Sequence, residues 1–539
     1  MINIGQGQLN SRAFISINAL IFLVIFNYPF LGASYNAAAQ TENTSILFML
    51  ALPALLFALL HTFLSLILWP RSEKWVLTFL YVVSSAVLYA QMSYRVVFDY
   101  TMIQNVFETD ASEATSYLAS STILTLGILI ASSVSWLWPV KVKYSSTWKE
   151  ISARVISCGA ILAVAMALTL GCYAEFAATA RNNPELKRQI IPFEWVDNTY
   201  DYWRDRLITD RQEFVVLDPA PTLNKVGQDK PRLTIVILGE TARADHFTYN
   251  GYERETNRYT TPFQVVYFKD VISCGTATAV SVPCMFSDLT RKDFSSSAAK
   301  NRQNLLDLAL QSGIDVTWID NNSSCKGMCS RQVYEQVETD ASDPLCDGDY
   351  CFDEILLVRL KAKLTQPANR DILIVLHQIG SHGPTYYRRY PDAYRLYTPD
   401  CPRSDIQNCS TAALVNTYDN TIAYSDYVNA KVIELVDTAE YDATVMYISD
   451  HGESLGEGGV YLHGLPYSFA PKTQTRVPMW VWTNHHPQVL KNCLAPFTEP
   501  TLASHDNVFH TLMGIMGISS TAVRPELDMT SHCGELAAL

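Results

Sequence analysis

Long apolar runs in the first third of the chain constrain this sequence more than any other feature. Five runs approach the ~20 residues that a helix needs to cross the hydrocarbon core of a bilayer. They occupy residues 13–31, 45–69, 75–93, 117–138 and 153–172. After about residue 175 the apolar runs are short. The sequence therefore predicts an N-terminal transmembrane domain of five helices, residues 1–174.

The charges of the connecting loops predict how these helices are oriented. Basic residues precede the first run and lie in the loops after the second and the fourth, at Arg12, Arg71, Lys74, Lys141, Lys143, Lys149 and Arg154. The loop at 34–44 has no Lys or Arg. Because positively charged loops stay in the cytoplasm, we expect a cytoplasmic N terminus and an extracytoplasmic C-terminal part. The first run has an alternative interpretation as a signal peptide ending near residues 37–39, which leaves the later topology unchanged.

The twelve cysteines divide at the same boundary. Cys158 and Cys172 lie in the fifth run, where we expect them to be small packing residues. The other ten are Cys274, Cys284, Cys325, Cys329, Cys346, Cys351, Cys401, Cys409, Cys493 and Cys533. The first eight form close sequential pairs, so we expect disulfides 274–284, 325–329, 346–351 and 401–409, and by elimination 493–533. Metal binding is the alternative for 325 and 329, but disulfides agree with an oxidising compartment outside the cytoplasm.

The rest of the chain divides into a connector and an outer domain. Residues 175–230 are polar and end in a Pro-rich stretch, which is typical of an amphipathic or interfacial connector. In residues 231–539, apolar runs at 233–238, 266–272, 316–319, 372–377, 445–449 and 479–482 alternate with helical patterns such as 304–312 and 413–440. Continuous apolar strands between helices predict an α/β/α domain whose mostly parallel sheet is covered on both faces.

Polar side chains follow several of these strands directly. Glu240 follows the first strand, and Asp450 and His451 follow the strand at 445–449. The loop after the second strand carries Thr276 and Thr278. Because ligands bind beyond the carboxyl ends of parallel strands, we expect these groups to meet at one edge. Carboxylate and imidazole ligands suit a divalent cation, with zinc the first choice and manganese the second.

Each motif alone has a structural explanation. An Asp-His-Gly sequence is often a turn or a helix cap, and a Thr-rich turn is usually an N-cap. Their common position at strand ends of one sheet favours the metal site. A hydroxyl beside a metal also indicates covalent catalysis, because coordination lowers its pKa. We expect a 274–284 disulfide to stiffen the loop that carries Thr278.

These motifs resemble the alkaline phosphatase and sulfatase superfamily, specifically its membrane-bound phosphoethanolamine transferases. The similarity is closest to the lipid A enzymes, including the mobile colistin-resistance group, and extends over essentially the whole chain. It rests on residues 239–243, the cysteine-bracketed motif 274–284, and residues 380–384 and 449–454. The bracketed motif is the most specific of the four.

The resemblance implies roles for individual residues. It makes Thr278 the nucleophile, and Glu240, Thr278, Asp450 and His451 the ligands of one zinc ion, with Glu453 available to shape that site or to hold a second zinc. The residues implied in substrate binding are Asn105, Glu113, Asn322, Lys326, His382 and His463. For Asn105 and Glu113 the alternative is that they are solvated polar groups of the loop. This chain departs from the pattern of some family members at one place, because cysteines lie on both sides of Lys326.

The resemblance also implies an activity and a location. A monomeric inner-membrane enzyme of a Gram-negative cell, with a periplasmic catalytic domain, would transfer phosphoethanolamine from phosphatidylethanolamine to a lipid A phosphate through a threonine intermediate. Such a reaction lowers the negative charge of the surface and gives polymyxin (colistin) resistance. The alternatives are glycerolphosphate transfer, transfer to a core sugar or a protein, and a non-enzymatic sensor. A sulfatase is disfavoured because the Cys-x-Pro-x-Arg motif is absent, and nucleic acid because the net charge is −13 without a polybasic stripe.

Overall fold

The computed structural model of the chain describes residues 8–39, 45–109, 111–183, 185–209, 213–224, 230–365 and 369–533. Its contacts divide the chain into two compact units, one of residues 1–99 and 120–200 and the other of residues 100–119 and 201–539. The segment 100–119 therefore belongs to the same unit as the outer domain, although it lies between apolar runs in the sequence.

Helices make up almost all of the N-terminal region. In chain order they are α1 Ser11–Ile21, α2 Tyr28–Ala39, α3 Ile46–Ile67, α4 Glu73–Tyr94, α5 Tyr100–Glu108, α6 Ala111–Ser116, α7 Ser120–Val134, α8 Thr147–Gly171, α9 Tyr173–Asn182 and α10 Phe193–Thr209. A π-helical turn, Phe22–Phe26, follows α1. Among the described residues, α3, α4 and α8 are long and apolar enough to cross a membrane.

The other two expected spans differ from a simple crossing helix. The first is bent by 61° between Ser11–Phe26 and Tyr28–Ala39. Pro29 accounts for the break, because proline has no N–H to continue the ladder of the preceding turn. The helix α7, at the fourth run, has only 15 residues. The described residues thus contain three strong apolar helices, or four if the bent pair is one span, and the expected count of five is not confirmed.

The buried Arg154 of the N-terminal unit has several hydrogen-bond partners. Arg154 on α8 donates to Glu150 at 3.0 Å and to the carbonyl oxygens of Ser65 and Leu68 at 2.6 and 2.7 Å. A charged group inside an apolar bundle is tolerated only with such partners. These bonds join α8 to the C-terminal end of α3.

The second unit is built on a seven-stranded sheet. Its strands are β1 Arg232–Gly239, β2 Val266–Ile272, β3 Asp315–Asp320, β4 Val333–Gln336, β5 Ile372–His377, β6 Asp442–Ser449 and β7 Arg476–Thr483. Their spatial order is β2-β7-β6-β1-β5-β3-β4. The strand β7 is antiparallel to both of its neighbours, and the other pairs are parallel. This confirms the expected sulfatase-like α/β domain with a mostly parallel sheet.

Helices of the second unit surround this sheet. They are α11 Thr278–Met285, α12 Ser296–Lys300, α13 Leu305–Gln311, α14 Glu354–Leu364, α15 Thr411–Asp437, α16 Lys472–Thr475, α17 Pro487–Leu494 and α18 Val508–Ile515. Val236 and Leu238 of β1 belong to one apolar cluster with residues of α13 and α18. Ile235 and Ile237, which point to the opposite face of β1, are also fully buried. Both faces of the sheet are therefore covered, as a parallel sheet requires.

Three two-stranded pairs complete the strands. They are Gln8–Asn10 with Lys141–Lys143, Thr222–Leu223 with Ile518–Ser519, and Ser454–Leu455 with Tyr461–Leu462. The last pair belongs to the loop that follows Glu453, so it fixes the return of the chain toward His463.

Candidate active site

The ends of β1 and β6 and the start of α11 bring four buried side chains together. Glu240 follows β1, Asp450 and His451 follow β6, and Thr278 is the first residue of α11. The Thr278 hydroxyl oxygen lies 3.2 and 3.3 Å from the two carboxylate oxygens of Glu240, and 3.4 Å from His451 Nε2. All four side chains are at most 5% exposed. The fold thus gathers, into one cluster, groups that are up to 211 residues apart in sequence (from Glu240 to His451).

The protonation state of the His451 ring determines whether this cluster can bind a cation. Its Nδ1 lies 2.9 Å from the Gly452 carbonyl oxygen, so the ring proton is on Nδ1 and Nε2 carries a lone pair. Burial lowers the pKa of His451 to about 3, which keeps the ring neutral. His451 Nε2 lies 3.2 Å from Asp450 Oδ2 and 3.4 Å from Glu240 Oε1.

These three atoms are all hydrogen-bond acceptors, and the Thr278 hydroxyl lies among them as a donor to Glu240. Among the described residues, the buried Asp450 Oδ2 makes no hydrogen bond. Ligand atoms of Glu240, Asp450 and His451 all lie within 4.8 Å of one another. Converging lone pairs of two carboxylates and a neutral imidazole are satisfied by a cation, and this donor set fits zinc.

The backbone around Glu240 and Asp450 is closely packed. The Thr241 N–H donates to Asp450 Oδ1 at 3.1 Å, with Thr241 at a positive φ of 51°. Gly380 also has φ +51°, and a Cβ there would lie 2.9 Å from the Glu240 carbonyl oxygen. Only glycine fits at that position without moving the Glu240 backbone.

A second group of titratable residues borders His451. The rings of His451 and His463 are 4.3 Å apart between centroids, and those of His382 and His463 are 5.6 Å apart. His463 Nδ1 lies 3.2 Å from Glu453 Oε2. Burial raises the pKa of Glu453, and its Oε1 has no hydrogen-bond partner among the described residues. A group of ionisable side chains therefore lies beside the cluster that contains Thr278.

Lys326 and Asn322 lie on the loop after β3. The Lys326 ammonium donates to the backbone and side-chain oxygens of Ser323, both at 2.8 Å. The Cys325–Cys329 disulfide closes the loop around Lys326, whose φ is +50°. The Asn322 amide donates to Glu240 Oε2 at 2.8 Å, so in this structure its nearest charged partner is a member of the carboxylate cluster.

Helix α5 lies against the nucleophile helix α11 within the second unit. Gln104 donates to the Ala279 carbonyl oxygen at 3.4 Å and accepts from Ser296 at 3.1 Å. Glu108 pairs with Lys300 at 2.7 Å. The sequence analysis assigned no site role to these residues, because single polar or charged residues outside a motif have no distinctive pattern.

A cavity of about 620 Å³ opens between α5, α10 and α12. Its lining combines aromatic rings with cations and acids, namely Tyr100, Phe107, Tyr202, Glu108, Asp205, Arg206, Lys300 and Lys326. Such a lining suits an amphipathic headgroup that carries a phosphate. Asn105 is a half-buried residue of α5, and Glu113 lies in α6 with its side chain outside the described residues.

The ten cysteines of the second unit form five disulfides. The pairs are Cys274–Cys284, Cys325–Cys329, Cys346–Cys351, Cys401–Cys409 and Cys493–Cys533. The first pair joins the loop before Thr278 to the end of α11. The Cys274 N–H also donates to His505 Nδ1 at 3.0 Å, while His505 Nε2 lies 3.0 Å from the Ser449 carbonyl oxygen. The loop before Thr278 is therefore connected by hydrogen bonds to the strand end that is followed by Asp450 and His451.

Removing the first disulfide is expected to affect activity more than stability. In the double variant Cys274→Ser/Cys284→Ser, we expect kcat to fall roughly 10–10²-fold, because a small displacement of a reacting group has an effect of that size. The matched control, Cys493→Ser/Cys533→Ser, opens a longer loop, 40 residues against 10. It should lower the melting temperature more and kcat less. Equal loss of kcat in the two variants would contradict this assignment.

Comparison with known proteins identifies the family. The family described as phosphoethanolamine transferase EptA/EptB matches residues 56–207, and the sulfatase family matches residues 232–518. The phosphoethanolamine transferase EptA of Escherichia coli strain K12 is 35% identical over 98% of this chain and 97% of its own length. The chain belongs to the phosphoethanolamine transferase family. The phosphatidylethanolamine transferase Mcr-1 of Escherichia coli is 33% identical over 84% of this chain and 85% of its own.

A solved structure shares the whole architecture of this phosphoethanolamine transferase. The integral membrane protein lipooligosaccharide phosphoethanolamine transferase A (EptA) from Neisseria meningitidis superposes with a TM-score of 0.92 at 33% identity. The match covers 98% of this chain and 99% of that one. The fold is therefore EptA-like, with an N-terminal helical region and a C-terminal sulfatase-like domain. Phosphoethanolamine transferases are membrane proteins that use lipid substrates.

Proposed function

We propose that this protein transfers phosphoethanolamine from phosphatidylethanolamine to a phosphate of lipid A through a phosphoethanolamine-Thr278 intermediate. The observation that carries the proposal is the position of the Thr278 hydroxyl, 3.2–3.4 Å from carboxylate and imidazole atoms of Glu240 and His451. A hydroxyl among metal-ligating groups is arranged for nucleophilic attack rather than for helix capping.

In the first half-reaction, the Thr278 hydroxyl loses its proton to solvent, Oγ1 bonds to the phosphorus of the donor, and the bond between the phosphorus and the diacylglycerol oxygen breaks. The diacylglycerol oxygen takes up a proton as it leaves, and His382 or His463 is the proposed donor, because the His463 ring borders His451 and the His382 ring borders His463. The N terminus of α11 lies at Thr278, where its backbone N–H groups favour the negative phosphoryl group. Lys326, which is 5% exposed, adds a positive charge on the loop after β3.

In the second half-reaction, a phosphate oxygen of lipid A attacks the phosphorus and Thr278 leaves. We assign zinc to Glu240, Thr278, Asp450 and His451, where the bound ion would lower the pKa of the Thr278 hydroxyl and neutralise charge on the phosphoryl oxygens. Glu453 and the two histidines beside it are candidates to hold a second ion. The cavity beside α5, with Lys300, Lys326 and Arg206 in its lining, is the proposed place for the phosphate-bearing headgroups of the lipids.

The proposal includes a location and a consequence. Arg12 at the start of α1 and the basic loops after α3 and before α8 support a cytoplasmic N terminus. The five disulfides support an oxidising compartment for the catalytic domain, which we assign to the periplasmic side of a Gram-negative inner membrane. We keep the boundaries 1–174 for the transmembrane domain, 175–230 for the connector and 231–539 for the catalytic domain as part of this proposal. Modified lipid A carries less negative charge, so cationic polymyxins should bind the cell surface less well.

The test uses the full-length protein in detergent with phosphatidylethanolamine and lipid A. We expect release of diacylglycerol and a gain by lipid A of the mass of one phosphoethanolamine group, together with higher colistin tolerance of cells that produce the protein. Diacylglycerol release with unmodified lipid A would exclude this acceptor in favour of a core sugar or a protein. A glycerolphosphate adduct on the enzyme would contradict phosphoethanolamine transfer.

A further inference from the structure

Behind Glu240, a line of buried polar side chains crosses the ends of three neighbouring strands. Asp320 ends β3 and His377 ends β5, and the parallel register places these two residues opposite each other. Asn322 follows β3 and Glu240 follows β1. Asp320 and His377 are fully buried, and Asn322 is 7% exposed. Such polar groups in the interior require a specific arrangement of donors and acceptors.

The hydrogen bonds of this line determine the orientation of the Asn322 amide. Asn322 Nδ2 lies 2.8 Å from Glu240 Oε2, 3.0 Å from the Gln378 carbonyl oxygen and 3.2 Å from His377 Nε2. The carboxylate and the carbonyl can only accept, so the amide nitrogen must face them. The two amide protons serve three acceptors, so one proton is shared, and His377 Nε2, at the longest of the three distances, takes part as an acceptor that carries a lone pair.

The proton of the His377 ring is consequently on Nδ1. That nitrogen lies 3.0 Å from Asp320 Oδ2 and donates to it. Asp320 is itself held by the indole N–H of Trp318 at 2.7 Å and by the Asn322 backbone N–H at 2.8 Å. Since both carboxylate oxygens have fixed donors, Asp320 holds the ring in one tautomer and one orientation.

We propose that Asp320 and His377 are positioning residues, which act through Asn322 to hold the Glu240 carboxylate in the geometry that binds zinc. The Asn322 amide cannot turn its oxygen toward Glu240, because His377 Nε2 and the Gln378 carbonyl would then lose their donor. One lone pair of Glu240 is thus always hydrogen-bonded, which limits the rotation of the carboxylate. This inference rests on the zinc site proposed above, and it gives Asn322 a role toward Glu240 in addition to the role toward substrate that the sequence implied.

Replacing His377 by Gln and by Asn distinguishes a role in positioning Glu240 from a role in stability alone. In His377→Gln, the side-chain oxygen reaches the position of Nε2 and still accepts from Asn322. In His377→Asn, the shorter side chain reaches only the position of Nδ1, so it keeps the contact with Asp320 and leaves Asn322 without that acceptor. We expect His377→Asn and Asp320→Asn to weaken zinc binding about 10–100-fold, and His377→Gln to weaken it by less than about tenfold.

Zinc affinity is measured on the full-length protein by competition with a chromophoric chelator. The matched control is His510→Gln, because His510 is equally buried and accepts from the Arg524 backbone N–H at 3.1 Å without contact to the Glu240 line. It should lower the melting temperature and leave zinc affinity unchanged. The double variant Asn322→Ala/His377→Asn should bind zinc no more weakly than Asn322→Ala alone, since both residues act in one line.

Three results would overturn the inference. One is unchanged zinc affinity in both His377→Asn and Asp320→Asn, and another is equal losses in His377→Asn and His377→Gln. The third is additive losses in the double variant. The two proposals can be tested independently. If the protein binds zinc but transfers no phosphoethanolamine, the proposed function is wrong, while the zinc affinities of the variants still test the role of Asp320 and His377. A wild-type protein that binds no zinc would overturn both proposals.

Discussion

Thr278→Ala abolishes the covalent phosphoethanolamine adduct and lowers the transfer rate by at least about 10³-fold, as expected when the nucleophile of a covalent mechanism is removed. The physical reason is that the Thr278 oxygen, which lies 3.2–3.4 Å from atoms of Glu240 and His451, is the proposed attacking atom, and alanine has no hydroxyl to replace it. Intact mass spectrometry of the protein after incubation with phosphatidylethanolamine measures the adduct directly. Thr278→Ser keeps a hydroxyl and should still form it.

Thr276→Ala is the matched control for this experiment. The Thr276 hydroxyl donates to the Leu465 carbonyl oxygen at 2.6 Å, so the variant loses a bond of the same loop but not the nucleophile. It should form the adduct with a smaller loss of rate. An adduct of full mass in Thr278→Ala would show that another residue is the nucleophile.

Removal of zinc is the second change that we expect to have a large effect on the transfer rate. A bound metal ion contributes several kcal/mol to transition-state stabilisation in such reactions, and each 1.36 kcal/mol is a factor of ten in rate. We therefore expect a chelator to lower the rate about 10³-fold or more, and added zinc to restore it. Zinc at about 100 times its dissociation constant should also stabilise the folded domain by about 2.7 kcal/mol, because it binds only the folded site. Thermal unfolding with and without zinc measures this difference.

Asp450→Asn should lose both responses to zinc. The matched control is Glu457→Gln, since Glu457 lies in the same region of the chain but pairs with Arg243 at 2.6 Å and is not part of the carboxylate cluster. It should keep the zinc-dependent rate and the zinc-dependent rise in melting temperature. A normal zinc response in Asp450→Asn would contradict the ligand assignment, and loss of the response in Glu457→Gln would show that the effect is not specific.

Local patterns predicted much of the second unit correctly. The runs at 266–272 and 372–377 coincide with β2 and β5. Continuous apolar residues define a buried parallel strand only at β5, since β2 is a partly exposed edge strand antiparallel to β7. The strand β4 escaped prediction since it is short and partly exposed at the edge of the sheet, and therefore has no apolar run. The antiparallel pairing of β7 could likewise not be predicted from its sequence, which is as apolar as that of the parallel strand β5.

In the N-terminal region, the sequence predicted the apolar helices but not where they are interrupted. Mean hydropathy over a window finds apolar helices, and it predicted α3, α4 and α8. It does not detect the break after residue 26, where Pro29 interrupts the helix, or the early end of α7. The location of α5 beside α11 also depends on contacts between residues about 175 apart, such as Gln104 and Ala279.

The amino-acid sequence by itself determined the order of the elements, the disulfide-compatible cysteine pairs and the residue types at the strand ends, because these depend on local composition and spacing. Only the tertiary structure decided which of those residues meet. The register of β3 against β5 joins Asp320 to His377, and the Gly452 carbonyl selects the His451 tautomer that turns a lone pair toward Asp450. Both are hydrogen bonds of defined distance and direction, and such geometry follows from packing that no stretch of sequence contains alone.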